Sequence, residues 1–458
     1  MTDNQPPARL TVMQSAYEIS AAVRDGSRSP FEALEDALKR IQARDPQVQA
    51  WVETDEQGVW AQAGKLLAVR DSGDRLGLLA GVPVGIKDIV DVAGFTTRAG
   101  APAFAHRIPE TDSTVARRLR EAGAVIVGKT HTTEFAYLDP APTHNPWNLD
   151  HTPGGSSSGS AAAVAAGMLP MAIGSQTVGS VLRPAGYCGI VGLKPSFGRI
   201  GYGGVYALAP SFDHLGLLVT SVRDAALGLS AIAGPDSGDP NSLDLPPDDY
   251  LSAIAEPRVP VLGIPRNYFH GTAEPENEAH LDAIAGRLEK AGARVTDVDF
   301  PATAPAVAEA TSPVMRYEAA RAHADMYAAN RDAYRPNIKA LIEGGLSTPD
   351  AQYQQARSYV DSLRGDLGAL LAGVDALLLP TAPGTAPPDL TTTGPGIFCG
   401  PASFTGLPSI SLPSGVAPNG LPHSIQLIGP ALDESRLLNV AAWVEGVLDF
   451  RAVPPVAR

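Results

Sequence analysis

Apolar residues follow a helical spacing at the start of the chain and a different pattern after residue 80. In residues 10–70 they recur every three or four positions, which predicts amphipathic helices. One such set is Phe31, Leu34, Leu38 and Ile41. Ser29 and Glu32 flank a proline at the first helical position, and this combination predicts a capped helix start.

After residue 80, short apolar runs alternate with segments of helical spacing. The predicted strands are 82–89, 124–127, 171–173, 294–300 and 374–379. The predicted helices are 113–122, a helix after Ser156, 221–233, a helix around 281–288, most of 314–372, and a last helix from Asp433. This alternation predicts an α/β fold in which helices cover a sheet. The polar, proline-containing segment 234–249 has the composition of a linker.

Composition narrows the class of protein. Hydrophobic residues make up 44% of the 458 residues and charged residues 18%, which favours a large buried core. The net charge of −14 argues against nucleic acid as a partner, because phosphate binding needs clustered lysine and arginine. Two cysteines, Cys188 and Cys399, make no disulfide framework and suit a reducing compartment.

The first ten residues lack the features of a signal peptide, and the small-apolar run 161–174 is interrupted by Gly167 and Pro170. We therefore expect a soluble cytoplasmic protein with no membrane segment. The nine histidines include no HExxH pair or cluster, so we expect neither a metal nor a cofactor.

Candidate chemistry is concentrated in residues 154–195, which are rich in glycine, alanine and serine. Ser156–Ser158 are predicted to begin a helix, and Ser180 to lie at the tip of a glycine turn. Two hydroxyls directed into one cleft suit acyl transfer if a base takes the proton. Lys87 lies in the apolar run GVPVGIKDIV, where burial would lower its pKa, and Asp88 alternates to the other face of that strand.

Several motifs resemble those of the amidase-signature hydrolases. They are GVPVGIKD, VIVGKTHTTEFA, HNPWNLDHTPGG, GGSSSGSAAAVAAG, GSQTVGSVLRPAGYCGIVGLKP and FTGLPSISLP…GLPHSIQLIGP, in that order over most of residues 10–450. The resemblance implies a large, mostly parallel mixed sheet between helix layers. It also implies one domain over 1–458, with a helical portion at about 10–70 and a signature core at about 75–220; no domain break is placed at 234–249.

The same resemblance implies a site. Ser180 would be the nucleophile, Ser156 a bridging serine after a cis bond from Gly155, and Lys87 the base, with Ser157 in support. The backbone N–H groups of Thr177, Val178, Gly179 and Ser180 would form the oxyanion hole. Tyr137 and Phe398, with Leu138, flank the motifs and are candidates for the substrate pocket, although core packing is the favoured explanation for each.

The block around the nucleophile departs from the family pattern D-T-G-G-S-I-R. This chain has Gln176, Val178 and Leu182 at the altered positions, and Arg183 one place later. Joint loss of the acid and the arginine would avoid an unpaired buried charge, which favours a branch of the family over an inactive member.

Each candidate also has a simpler explanation. Ser156 could be a helix N-cap, Ser180 a turn residue and Lys87 a solvated lysine. Residues 123–130 match the phosphate-loop pattern GxxxxGKT, but their four middle residues are a predicted strand, so no loop remains for a phosphate. Residues 155–159 match the GxSxG elbow, which would need a preceding strand and a later histidine, best supplied by His423.

These observations predict metal-free hydrolysis of a carboxamide, aryl-amide or carbamate C–N bond through an acyl-enzyme on Ser180. We expect a small-molecule amide as the partner, neither nucleic acid nor membrane, and a homodimer as the assembly to consider. One alternative is the A subunit of glutamyl-tRNA amidotransferase, which frees ammonia from glutamine; the short segment 136–144 and the altered nucleophile block argue against it. A third hypothesis is a non-catalytic binding protein, which the presence of Lys87, Ser156 and Ser180 together disfavours.

Overall fold

The structure, a computed structural model, describes residues 13–104 and 107–458. Its centre is a sheet of eleven strands. The strands are β1 (Trp51–Thr54), β2 (Pro83–Lys87), β3 (Val125–Thr130), β4 (Met171–Gln176), β5 (Val191–Lys194), β6 (His214–Val219), β7 (Val261–Ile264), β8 (Arg294–Asp297), β9 (Ala376–Pro380), β10 (Ser409–Val416) and β11 (Pro422–Ile428). Their order across the sheet is β1-β3-β2-β4-β6-β5-β10-β11-β9-β7-β8.

Strand direction is mixed. β2 runs parallel to β3 and β4, and β7 runs parallel to β8 and β9. The other pairings are antiparallel. The expected α/β fold with a large mixed sheet is confirmed, with a larger antiparallel share than the phrase "mostly parallel" suggests.

Helices surround this sheet. They are α1 (Ala16–Asp25), α2 (Pro30–Val48), α3 (Glu56–Asp71), α4 (Thr114–Glu121), α5 (Ser158–Ala165), α6 (Leu182–Cys188), α7 (Val222–Ile232), α8 (Tyr250–Ala253), α9 (Arg266–Phe269), α10 (Pro275–Lys290), α11 (Ala304–Ala322), α12 (Ala324–Asn330), α13 (Pro336–Leu346), α14 (Asp350–Leu371), α15 (Gly400–Thr405) and α16 (Glu434–Leu448). The predicted cap of α2 is present, because Ser29 and Glu32 form a capping box.

The alternation of side chains along β4 shows how the sheet is buried on both faces. Met171 and Ile173 belong to one hydrophobic cluster, which α7, α10 and α16 also join. Ala172 belongs to a second cluster, which includes α5 and part of α2. Successive side chains of a strand point to opposite faces, so helices lie on both sides of β4. This arrangement confirms the predicted sheet between helix layers.

One predicted element differs from the structure. Residues 51–54 were expected in a helical region, yet they form β1, which pairs antiparallel with β3 at one edge of the sheet. A four-residue strand is too short to interrupt a helical pattern read over longer windows. The predictions made for residues 1–12, including the missing signal peptide, lie outside the described residues.

The linker-like segment 234–249 packs back onto the protein. Gly234 N–H donates to Arg199 O, and Leu243 N–H donates to Gly198 O, each at 3.0 Å. The side chain of Asp236 accepts from Gly203 N–H at 3.0 Å. Across the described ranges, none of the helices combines the length and apolar character that a bilayer crossing requires.

Candidate functional site

Lys87 is the last residue of β2, and its side chain is fully buried. Its Nζ lies 2.6 Å from Ser156 Oγ, 2.8 Å from Ser175 Oγ and 3.1 Å from Ser157 Oγ. Burial holds the pKa of Lys87 well below its ordinary value, the positive charge of Arg183 lowers it further, and Asp213 opposes the shift. The simpler explanation of Lys87 as a solvated lysine is therefore wrong, and a neutral amine at this position is chemically able to accept a proton.

Ser156 lies in a closely packed backbone segment between Gly155 and the start of α5. The Gly155–Ser156 peptide bond is cis, as the resemblance implied. A side chain at Gly155 would place its Cβ 2.6 Å from Thr393 Cγ2, so glycine is required there. Ser157, not Ser156, is the residue before helix α5, so the capping explanation of Ser156 is wrong. Ser157 instead binds β4, where its Oγ accepts from Ser175 N–H at 3.2 Å.

Ser180 lies in the turn that links β4 to α6, and 7% of its surface is exposed. Its carbonyl oxygen accepts from Ser157 N–H at 3.3 Å, which joins the turn to the start of α5. Among the described residues, no acceptor takes the N–H groups of Val178, Gly179 or Ser180. Thr177 lies in the same turn and donates its hydroxyl to Asp213 Oδ1 at 2.6 Å. The turn therefore combines a hydroxyl with backbone donors suited to an oxyanion.

Gln176 explains how this turn is held without the family's usual acid. Its Oε1 accepts from the N–H groups of Val181 and Leu182, at 2.8 and 2.9 Å. Its Nε2 donates to Ser403 Oγ at 2.9 Å, and that hydroxyl donates to Val178 O at 2.7 Å. One neutral amide thus fixes both ends of the turn that carries Ser180.

Two substitutions of Gln176 separate the effect of losing its hydrogen bonds from the effect of adding a charge. Gln176→Glu keeps an acceptor for α6 but loses the amide donor and adds a negative charge next to Ser175, which contacts Lys87. We expect kcat to fall, and the rising limb of the pH profile to move to higher pH, because an added anion favours the ammonium form of Lys87. Gln176→Met, which loses the hydrogen bonds without adding charge, should lower kcat and leave the limb in place. If the rising limb of the pH profile lies at the same pH in Gln176→Glu and Gln176→Met, the expected effect of charge on Lys87 is wrong.

Arg183 corrects one expectation. The arginine was expected to be lost together with the acid, yet Arg183 is buried within the site. Its Nε lies 3.1 Å from Gly155 O, its Nη2 also contacts Gly155 O, and its Nη1 lies 2.5 Å from Gly394 O. It forms no ion pair with a carboxylate in the described part of the chain. A buried guanidinium without a carboxylate therefore lies beside the cis peptide.

The competing motifs take other roles. Lys129 of the phosphate-loop match lies within β3 and forms a fully buried ion pair with Asp88 at 3.0 Å. Asp88 is thus engaged away from Lys87, as strand alternation predicted. His423 of the elbow alternative lies on β11, stacks on His280 with ring centroids 4.2 Å apart, and contacts Asn277 Oδ1 at 3.1 Å. The residues before Ser156 are turns rather than a strand, so the elbow lacks its required context.

The three pocket candidates differ in burial. Phe398 is fully buried and packs near Tyr268 and Phe269, so it is a core residue. Tyr137 is half-buried, and its carbonyl accepts from Thr133, which lies beside Gly155. Leu138 is exposed. Tyr137 and Leu138 therefore stay predictions for the pocket, and the burial of Phe398 agrees with the packing explanation given for it.

Sequence reasoning missed Ser175 and Asp213. Ser175 lies near the end of β4, beside the end of the parallel strand β2, a position that the motif order alone could have indicated. Asp213 precedes β6, whose antiparallel pairing with β4 brings it to Thr177. Burial raises the pKa of Asp213 to about 7, against the lowering effect of Thr177 and two backbone N–H groups. Nothing in the local sequence around Asp213 indicates that pairing.

Comparison with known proteins places the chain in a family. The family described as Amidase matches residues 32–438, and the chain belongs to it. The chain is 38% identical to the A subunit of the glutamyl-tRNA(Gln) amidotransferase of Myxococcus xanthus (strain DK1622), over 96% of this chain and 98% of the relative. It is 36% identical to the A subunit of the same amidotransferase from Roseiflexus castenholzii (strain DSM 13941 / HLO8), over 99% of each.

Solved structures agree with this class. A peptide amidase from Stenotrophomonas maltophilia is 30% identical with a TM-score of 0.84, over 97% of this chain and 99% of that one. A bacterial aryl acylamidase of the amidase-signature family is 25% identical with a TM-score of 0.86, over 95% and 96%. The chain is therefore an amidase-signature enzyme that acts on C–N bonds.

The relatives contradict the expected partners. We expected a small-molecule substrate, no nucleic acid, no membrane and a homodimer. Full-length relatives are instead subunits of an amidotransferase named for glutamyl-tRNA(Gln), so the partner prediction is wrong. The net charge of −14 did not exclude such partners, because an acidic chain can act beside another protein that supplies the basic surface for nucleic acid.

Proposed function

We propose that this chain releases ammonia from glutamine through a covalent intermediate on Ser180, as the A subunit of a tRNA-dependent amidotransferase. The observation that carries the chemistry is the buried Lys87 amine, 2.6 Å from Ser156 Oγ and paired with no carboxylate in the described residues. Such an amine can act as a base only when it is neutral, and its surroundings favour that form.

In the first half of the reaction, Ser180 Oγ attacks the amide carbon and its proton passes through Ser156 to Lys87. The carbonyl oxygen becomes an oxyanion, which the N–H groups of Thr177, Val178, Gly179 and Ser180 stabilise. The C–N bond then breaks, and the proton returns from Lys87 through Ser156 to the leaving nitrogen. Ammonia departs and the acyl group remains as an ester on Ser180.

In the second half, water attacks the ester and gives its proton to Lys87 by the same route. The bond to Ser180 Oγ breaks, that oxygen regains a proton, and the free carboxylic acid leaves. Ser157 and Ser175 hold the Lys87 amine in place during both halves, since their hydroxyls lie 3.1 and 2.8 Å from Nζ. No metal ion is required to activate the nucleophile in this scheme.

The choice of glutamine and of an assembly rests on the relatives. Several A subunits of glutamyl-tRNA(Gln) amidotransferases align over nearly the whole chain at 35–38% identity. Similarity over the full length supports a shared role better than a shared motif does. It outweighs the short segment 136–144, on which the opposite argument depended.

A free-standing hydrolase of other carboxamides, aryl amides or carbamates is the second candidate. The observation that favours it is the altered block, in which Gln176 and Leu182 replace the family's acid and arginine positions while the turn stays intact. Solved neighbours described as a peptide amidase and an aryl acylamidase share the fold.

The test is purification of the tagged chain from its own host, together with any other protein that copurifies. We expect ammonia release from glutamine and glutamine-dependent conversion of glutamyl-tRNA(Gln), both lost in Ser180→Ala. If the chain purifies alone, releases no ammonia from glutamine and cleaves aryl amides or carbamates through Ser180, the second candidate is correct instead.

A further inference from the structure

Asp213 is a buried carboxylate beside the nucleophile turn, and no lysine or arginine of the described residues forms an ion pair with it. Its Oδ1 accepts from the Thr177 hydroxyl at 2.6 Å. Its Oδ2 accepts from the N–H groups of Leu208 and Ala209, at 2.7 and 2.9 Å. Three donors thus favour a negative charge on a side chain that is only 6% exposed.

The pairing of β4 with β6 places this carboxylate on the same side of the sheet as the groups around Lys87. Ser175 lies opposite Leu215 in this antiparallel pair, and opposite residues present their side chains on one face. Because side chains alternate, Thr177 follows on the face of Ser175. In the same way Asp213 lies on the face of Leu215, which agrees with its bond to Thr177. Ser175 Oγ is 2.8 Å from Lys87 Nζ, so the carboxylate and the base share this face.

Lys87 gains a positive charge each time it takes a proton. Its side chain is fully buried, and its hydrogen-bond partners are serine hydroxyls and one carbonyl, all of them neutral. Burial lowers its pKa; among the charged groups, Asp213 favours the ammonium form and Arg183 opposes it. A buried ammonium ion is costly without an opposite charge nearby. In the described part of the chain, Asp213 supplies that charge.

Glu318 and Tyr202 are the other titratable groups that act on Asp213 or respond to it. Burial, and after it the charge of Glu318 on α11, raise the pKa of Asp213. Burial and the charge of Asp213 raise the pKa of Tyr202 well above its ordinary value, so this phenol stays neutral. Before the proton transfer, Arg183 and ionised Asp213 carry one charge each, and afterwards Lys87 and the oxyanion add one each. The charges of the site therefore balance only when Asp213 is ionised.

We infer that Asp213 is the counter-charge of the Lys87 ammonium ion and a positioning residue of the reaction. Its negative charge stabilises the ammonium ion in both halves of the reaction. Its bond to the Thr177 hydroxyl holds a residue whose N–H belongs to the proposed oxyanion hole. The inference rests on the proposed function for the role of Lys87 as the base.

Asp213→Asn removes the charge and nearly keeps the shape. The test is the rate at which a fluorophosphonate labels Ser180, measured against pH, because this step needs the same proton transfer. We expect the rising limb to move to lower pH by about one unit, the low end of the shift that a nearby charge produces. A pKa lower by one unit makes the ammonium form about tenfold less favourable, so the plateau should fall by up to about tenfold. Below both limbs the two rates should converge, since a larger neutral fraction offsets the weaker base.

The alternative is that Asp213 only holds the turn together. Asp213→Asn would then lower the labelling rate by the same factor at every pH and leave the limb in place, and that result would overturn the inference. Asp224→Asn is the matched control, because Asp224 is also buried and accepts from the Thr220 hydroxyl at 2.6 Å and from Tyr17 N–H at 2.9 Å. It should lower the melting temperature without moving the limb. An equal movement of the limb in Asp224→Asn would also count against the role of Asp213.

Thr177→Val provides the test if Asp213→Asn does not fold. Valine is close to threonine in volume but donates no hydrogen bond. Burial raises the pKa of Asp213 and the Thr177 hydroxyl lowers it, so the carboxylate should be less ionised in Thr177→Val. We expect the limb to move in the same direction as in Asp213→Asn but less far, and Thr177→Ser to restore the wild-type limb. A wild-type limb in Thr177→Val would show that the charge of Asp213 does not act on Lys87.

Failure of this inference and failure of the proposed function give different results. If the fluorophosphonate labels Ser180 and Lys87→Met removes the limb, but Asp213→Asn leaves the limb in place, the role of Asp213 is wrong while the proposed function stands. If Ser180 is not labelled in the wild type, the proposed function itself fails, and the inference with it.

Discussion

Ser180→Ala is expected to lower kcat by about 10⁴-fold or more, the scale of loss when a nucleophile is removed from a site that otherwise remains intact. Ser180 lies in a turn whose ends are held by Gln176, not by its own hydroxyl, so the substitution should leave the turn in place. In the wild type a fluorophosphonate should add a single covalent mass, and mass spectrometry of the labelled peptide should place it on Ser180.

Ser157→Ala is the matched control. Ser157 is also a buried serine near Lys87, and it is the central residue of the rejected GxSxG match. The adduct should remain on Ser180 in this variant and be absent from Ser180→Ala. An adduct on Ser157 in the wild type would restore the elbow alternative and remove Ser180 from its proposed role.

The sequence predicted those parts of the fold that depend on local pattern. The α5, α7 and α16 helices and the strands β2, β3, β4 and β9 follow from apolar spacing, and the cap of α2 follows from Ser29 and Glu32. The edge strand β1 was missed because four residues carry too little periodicity. Strand order was not predictable either, because pairings such as β4 with β6 join segments far apart in the chain.

In the candidate site, too, residues in local motifs could be predicted and residues brought in by long-range strand pairing could not. Lys87, Ser156 and Ser180 could be named because each lies in a recognisable motif, and the buried strand around Lys87 indicated a lowered pKa. Asp213 could not be found, since only the pairing of β6 with β4 brings it to Thr177. The effect of Gln176 was equally hidden, because it depends on Ser403, a residue 227 positions away.

Arg183 shows how a local comparison can mislead. Against the family pattern it is displaced by one residue, which suggested that the site had lost its cation. On α6, however, a long side chain can reach back toward the turn, and the guanidinium still contacts Gly155. Displacement along the sequence therefore did not remove the charge from the site.

Lys87→Met is expected to lower kcat by about 10²–10⁴-fold, the range for a positioned acid–base group, and to remove the rising limb of the pH profile. The limb arises because only the neutral amine can take the proton, so kcat/KM increases as pH rises through the pKa of Lys87. Burial, aided by Arg183, places that pKa well below the ordinary 10.5 of lysine. Residual turnover of an activated ester by Lys87→Met should show no such limb.

Two other titratable groups, those of Lys194 and His423, could also give a rising limb in the pH profile, and their substitutions serve as controls. Lys194 is fully buried, and burial lowers its pKa to about 7, yet its Nζ donates to Leu407 O at 2.6 Å, away from Ser156. His423 lies on β11 and contacts Asn277 of α10. Lys194→Met and His423→Gln should both keep the limb. Loss of the limb in either one, with a retained limb in Lys87→Met, would identify a different base.

Lys87→Met should also raise the stability of the folded protein relative to the wild type at low pH, whereas a substitution that damaged the fold would lower it. The pKa of Lys87 is lower in the folded protein than in the unfolded chain, so between these two values the unfolded chain binds more protons. The contribution of Lys87 to the stability of the wild type therefore increases as pH rises toward 10.5, and below that pH the buried lysine is destabilising. We expect the melting temperature of Lys87→Met, relative to wild type, to be most favourable at low pH within this window and to decline steadily as pH increases. A difference in melting temperature that stays constant with pH would show that Lys87 titrates alike in both states, and the neutral base would have to be abandoned.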